Sequence, residues 1–99
     1  MRKGLAPTED VIRRARARRV KISFGTDAVA GAHGRNAEEF IYRVKDAGEK
    51  PMDAIVSATS VSADSLGMSK EIGAIAPGMQ ADLVAVGAIR FPILLPCAA

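Results

Sequence analysis

Asp27 is the residue of this 99-residue sequence best placed, by type and position, to do chemistry. It follows Gly25 by two, just past the β-rich run Val20-Lys21-Ile22-Ser23-Phe24, and opens a loop of glycine and small residues that reaches Arg35. A carboxylate at a strand end can bind a divalent cation or shuttle a proton. It can equally hydrogen-bond the amides of its own loop. His33, the only histidine, lies in the same loop. One histidine cannot build a multi-histidine zinc site, and in a glycine-rich loop it reads equally well as a surface residue. Cys97 sits beside Pro96 with no neighbour to activate it, and a lone cysteine closes no internal disulfide. Ser57, Thr59, Ser60, Ser62 and Ser65 crowd one predicted helix. They lack a glycine-flanked elbow, so they read as hydroxyls facing solvent or bonded back to the helix. The glycines from Gly25 to Gly34 spell neither a dinucleotide nor a Walker fingerprint.

The elements that must position Asp27 follow from pattern and punctuation. Pro7-Thr8-Glu9-Asp10 predicts a helix start capped by Thr8, running from about Glu9 to Arg19. Val11, Ile12 and Ala15 lie on one side of it, and Arg13, Arg14 and Arg16 mostly on the other. Val20 to Phe24 reads as a strand. Asn36, with Glu39 three residues on, predicts the cap of a second helix with Phe40, Ile41, Val44 and Ala47 as its stripe and Gly48 as its stop. Pro51 opens a third helix that Gly67 closes. Glu71–Ile75 and Asp82–Val86 read as short strands about an Ala76-Pro77-Gly78 turn, and two prolines break the apolar stretch 91–96. A helix–strand–helix unit with a long loop at the strand's carboxyl end is how (β/α) barrels present catalytic side chains.

Composition bounds the possibilities. With 48% apolar and 25% charged residues the chain has globular composition. Only 4% is aromatic, with no Trp, so a core must be built from aliphatic side chains. The formal charge of +3 is uneven: residues 1–21 carry +6 and the remainder −3. That segment offers nucleic acid as a partner, or else the solvated face of a helix; it lacks interleaved aromatics and any zinc-finger or RNA-recognition signature. No run approaches the roughly 18 apolar residues of a membrane span, and no secretory leader is legible. The expectation is a cytoplasmic protein with no membrane partner.

Taken in order, three motifs resemble the C-terminal part of a metal-dependent amidohydrolase, in the imidazolonepropionase-like or Xaa-Pro dipeptidase-like (prolidase-related) branch. Val20-Lys21-Ile22-Ser23-Phe24-Gly25-Thr26-Asp27-Ala28 is similar to the family's last barrel strand with its Gly-Thr-Asp end. Pro51-Met52-Asp53-Ala54-Ile55, through Ala58-Thr59, to Ala63 and Leu66-Gly67 looks like the helix that follows. Ile72 to Val86, with Ala76-Pro77-Gly78-Met79-Gln80-Ala81-Asp82 at its centre, resembles the return from the barrel into the small β-sandwich.

The resemblance implies an α/β fold, the C-terminal portion of a (β/α)8 TIM barrel. Residues 1–67 would form its last βα segment, and residues 68–99 the β-sandwich return and a divergent tail. It implies zinc or another divalent metal and hydrolysis of an amide, lactam or dipeptide C–N bond. Asp27 would bind the metal and relay a proton, while His33 and Arg35 would touch a small-molecule substrate. The family's His-x-His pair, bridging lysine or glutamate and later histidines have no counterpart here, and Arg19 stands where the family usually has glycine. The expectation is therefore a chain that binds no metal tightly and is inactive by itself. Its partners would be a second copy or an upstream fragment that completes the barrel.

Overall fold

The computed structural model describes residues 6–86. Arg2, Lys3, Cys97 and the tail from residue 87 lie outside the described residues. Helix α1 spans Ala6–Ala17, α2 spans Glu38–Lys45, and α3 spans Pro51–Val56. The last continues through a π-helical turn, Ser57–Val61, into α4, Ser62–Ser65. These three pieces make the single third helix that Pro51 and Gly67 delimit in the sequence. Pro51 occupies the first turn, where its missing N–H costs nothing. Gly67, at φ +70°, ends the helix: its N–H donates to the Asp64 carbonyl and that of Met68 to the Ala63 carbonyl.

Helix α1 begins earlier than the capping pattern predicts, with Pro7 in its first turn and Thr8 inside the helix. It stops because Arg19 turns left-handed at φ +57°. The Arg19 N–H donates to Arg16 O (2.9 Å) and the Val20 N–H to Ala15 O (3.0 Å), a Schellman closure. Glycine adopts that conformation freely, whereas other residues lose roughly 1–2 kcal/mol. Arg19→Gly is therefore expected to stabilise the chain by about 1 kcal/mol. Urea unfolding followed by circular dichroism checks it, through a raised midpoint at unchanged slope; a lowered midpoint would contradict it. Val11, placed by the pattern on the apolar side, is exposed, while Ile12 and Ala15 are half-buried.

The second helix also departs from expectation. It is preceded by Ala37, no side chain caps it, and Asn36 contributes only its carbonyl, to the N–H of Glu39 (3.2 Å). Residues 35–40 instead wind in through successive three-residue turns, which satisfy the first amides without a side-chain acceptor.

No β-ladder forms among the described residues, so the strands predicted at 20–24, 71–75 and 82–86 are corrected. The reason is that a strand is defined by its partner, and no described segment pairs with these to form a ladder. From Lys21 to Ala28 exposure still alternates residue by residue, with Ile22, Phe24, Thr26 and Ala28 turned inward. That is the period of an extended chain packed on one face. At the other end, Met79 N–H closes on Ala76 O (3.2 Å) with Pro77 second and Gly78 third at φ +83°. This is the pattern of a type II turn, as the sequence indicates. Gln80 N–H reaches Glu71 O (2.8 Å), one bond of a hairpin that goes no further. Residues 81–86 are exposed throughout.

The interior is built from small side chains. Ala47, Ala54 and Ala63 are the buried apolar residues, and no large side chain is fully buried among the described residues. Helix α2 packs on α3, and Phe24 stacks on Phe40 with ring centroids 4.4 Å apart. Val20, Val56, Leu66 and Leu83 remain exposed, as does Ile75 at 88%. Each is the kind of surface another part of a larger core would cover.

Candidate functional site

The run that leads to Asp27 is anchored from below. The π-helical turn widens the third helix by one residue, so the Ser62 N–H reaches back five residues to the Ser57 carbonyl. This brings Ser57 and Ser62 against the same stretch of chain. The Ser57 hydroxyl donates to the Ile22 carbonyl (2.5 Å), and the Phe24 N–H donates to the Ser62 hydroxyl (3.0 Å). The Ser62 hydroxyl in turn donates to Ser57 O (2.7 Å). Two backbone groups that a neighbouring strand would satisfy are thus met by side chains.

Behind Ser57 lies a buried ion pair. Arg43 and Glu49 are 3% and 6% exposed. The guanidinium donates twice to the carboxylate, through Nε (2.6 Å) and Nη2 (3.2 Å), and Nη2 also donates to the Ser57 hydroxyl (3.1 Å). Its carbon lies 5.8 Å from the centre of the Phe24 ring. Glu49 is brought back to Arg43 by Gly48, at φ +69°, which turns the chain just after α2. A bidentate pair that also donates to a neighbouring hydroxyl suits a buried site. Among the described residues no buried side-chain nitrogen or oxygen lacks a partner.

Glu39 stands half-buried near this pair. Burial pushes its carboxyl above the usual range; Arg43 opposes that shift and Glu49 adds to it. A raised folded-state value means the folded chain holds the proton more tightly than the unfolded one. The stabilisation is present below the unfolded value and is lost as pH rises through the folded one. Glu39→Gln is accordingly expected to raise the urea midpoint at pH 7, with the gain disappearing below about pH 4. A gain of equal size at both pH values would contradict the assignment.

Asp27 itself is exposed, with φ +46°, a left-handed turn that aspartate tolerates better than most residues. His33 is exposed within the turn that runs from Ala30 to Gly34. Arg35 is exposed and gripped at both ends of its fork by Glu38, at 2.8 and 3.0 Å. Its hydrogen bonds to the Glu38 carboxylate raise its already high pKa. The three residues share one loop, but no group of three or more His, Cys, Asp or Glu side chains converges among the described residues. One exposed carboxylate does not make the donor set of a zinc ion, which takes three or four protein ligands. The residues present therefore do not fit the metal the resemblance implies.

A separate open groove of about 570 Å³ runs between α1 and the third helix. Arg13, Arg16, Arg19 and Lys21 line it together with Asp53, and the loop residues 27–35 do not. Sequence reasoning missed Arg43, Glu49, Ser57 and Ser62. The clustering of hydroxyls on one helix signalled Ser57 and Ser62 but not the ion pair, and Thr59, Ser62 and Ser65 do bond back to the helix, at 2.7, 2.7 and 2.8 Å, as that clustering suggests.

The model of the amidohydrolase family matches residues 2–95. The chain belongs to the amidohydrolase family. Comparison with curated proteins and with solved structures gave no match. Membership makes it part of a hydrolase of TIM-barrel type. No helix among the described residues is long and apolar enough to cross a membrane.

Proposed function

We propose that these residues supply the last barrel strand and helix of an amidohydrolase in the imidazolonepropionase-like or prolidase-like branch. The enzyme hydrolyses an amide, lactam or dipeptide C–N bond in the cytoplasm. Asp27 is the carboxylate that takes a proton from the attacking water and passes it to the leaving nitrogen. It would also be one of the ligands to the divalent metal, zinc by family habit, in the completed site. His33 and Arg35 lie on the same loop, where they can meet substrate; the exposed Arg35–Glu38 pair is worth little and is easily exchanged for another carboxylate.

The observation that carries this reading is the placement of Asp27 at the open end of a segment fixed from beneath by Ser57 and Ser62. The chain alone lacks the remaining donors, so it is inactive by itself. Purified chain should give blank rates on an amide, lactam and dipeptide panel with zinc. Turnover should appear on mixing with a polypeptide that carries the other barrel strands, and Asp27→Asn should reduce it at least about 100-fold. Turnover in the mixture that is indifferent to Asp27→Asn would overturn the assignment.

A second reading, self-association of the chain, is favoured by the run 20–28, which joins no ladder among the described residues, and by the exposed aliphatic residues. Nucleic acid is the alternative partner for the arginine-rich groove, and binding that weakens steeply with salt would reveal it.

A further inference from the structure

One edge of the run 21–27 is occupied, and the other is open among the described residues. In an extended chain the N–H and C=O of alternate residues point to opposite edges. The Ile22 carbonyl and the Phe24 N–H point to the edge met by Ser57 and Ser62. The backbone groups of Lys21, Ser23 and Gly25 point the other way, and none of them makes a backbone hydrogen bond among the described residues. A row of unmet donors and acceptors is a template for another strand.

The side chains say which strand. Lys21 and Asp27 are both exposed and lie three residues either side of Phe24. In an antiparallel pairing of two copies centred on Phe24, Ser23 of each faces Gly25 of the other and Lys21 faces Asp27, twice. The Ser23–Gly25 positions are those whose backbone groups point to the open edge, so they form the hydrogen-bonded pairs, and Phe24 meets its own copy at a non-hydrogen-bonded position. A parallel pairing in register would set Lys21 beside Lys21 and Asp27 beside Asp27, and like charges directly opposite are unfavourable. The left-handed φ of Asp27 ends the extended run, so the ladder is short and its last pairs are the two charged ones. Lys21 must leave Asp64, 3.3 Å away in an exposed pair that holds it weakly.

We propose that the 99-residue chain forms a two-fold dimer by antiparallel pairing of residues 21–27 through the Lys21–Ser23–Gly25 edge. The inference rests on the self-association reading above and fixes its surface and register. It is independent of whether Asp27 acts in catalysis.

Sedimentation velocity over a concentration series tests it, on the full chain and three variants. Wild type should pass from monomer to dimer. Ser23→Pro removes an edge N–H and should shift the dissociation constant upward by about tenfold or more. Lys21→Asp should weaken the dimer by about tenfold by setting like charges opposite each other, and Lys21→Asp with Asp27→Lys should restore it because each copy again offers both signs. Circular dichroism equal to wild type shows that the variants fold. A wild type that stays monomeric throughout overturns both the register and the self-association reading. A dimer unmoved by Ser23→Pro, or a double variant no tighter than Lys21→Asp alone, overturns the register and leaves self-association standing by another surface. Hydrolysis in the mixing assay is a different readout, so neither result is confused with failure of the amidohydrolase reading.

Discussion

Replacing Arg43 by methionine should remove about 3–5 kcal/mol of stability, because Glu49 would then be a buried carboxylate without a partner. With only Ala47, Ala54 and Ala63 as buried apolar residues among those described, that loss is enough to unfold most of the population at 25 °C. The effect should also reach the run that carries Asp27. Arg43 donates to Ser57, and Ser57 holds the Ile22 carbonyl, so losing the guanidinium frees the serine that fixes this run. The control is the double replacement Arg43→Met with Glu49→Leu, which exchanges the pair for apolar volume and should recover most of the loss. Urea unfolding of the four members of the cycle measures the coupling. Single variants that each cost under about 1 kcal/mol would show that the pair is solvated, contrary to its burial.

Gly73→Ala should destabilise the chain by about 2–5 kcal/mol, combining left-handed strain with overpacking. Gly73 has φ +92°, and a Cβ there would lie 2.7 Å from Ala63 Cβ and 2.9 Å from the Thr59 carbonyl oxygen. The second contact is with backbone, which cannot rotate aside. Gly78→Ala is the comparison, since Gly78 has a similar φ of +83° but open space around it. It should cost only the conformational part, roughly 1–2 kcal/mol. Equal losses at the two positions would mean that residues 72–74 do not rest on the third helix. Thermal unfolding of both variants checks this.

Parts of this fold were legible because single residues dictate them. Pro51 and Gly67 bound the third helix, and Pro77-Gly78 makes its turn, since both residue types restrict or free the backbone whatever surrounds them. The helix around Val11 and the stop after Ala47 were legible to within two or three residues, the ordinary precision of pattern alone. The Gly-Thr-Asp end and the motifs after it pointed to the amidohydrolase family, which the match over residues 2–95 shows.

Other features depend on distant parts of the chain. The β-rich run 20–24 kept its alternation but formed no ladder, because propensity cannot supply the neighbouring strand. No sequence sign marks the π-helical turn, yet it is what brings Ser57 and Ser62, five apart, onto Ile22 and Phe24. Arg43 and Glu49, six residues apart, read as ordinary solvated charges until Gly48 folds them together. Asn36 offered a cap that the chain did not take, since backbone turns reached the amides first.

We propose that these residues hold one catalytic carboxylate of an amidohydrolase and too few donors to make its site alone. Zinc content of the purified 99-residue chain, after saturation with zinc and gel filtration, tests it most directly. Far less than one zinc per chain is expected, since Asp27 stands exposed without a converging donor set among the described residues. One tightly held zinc per chain, lost in Asp27→Asn, would contradict it and make the 99 residues a metal site in their own right.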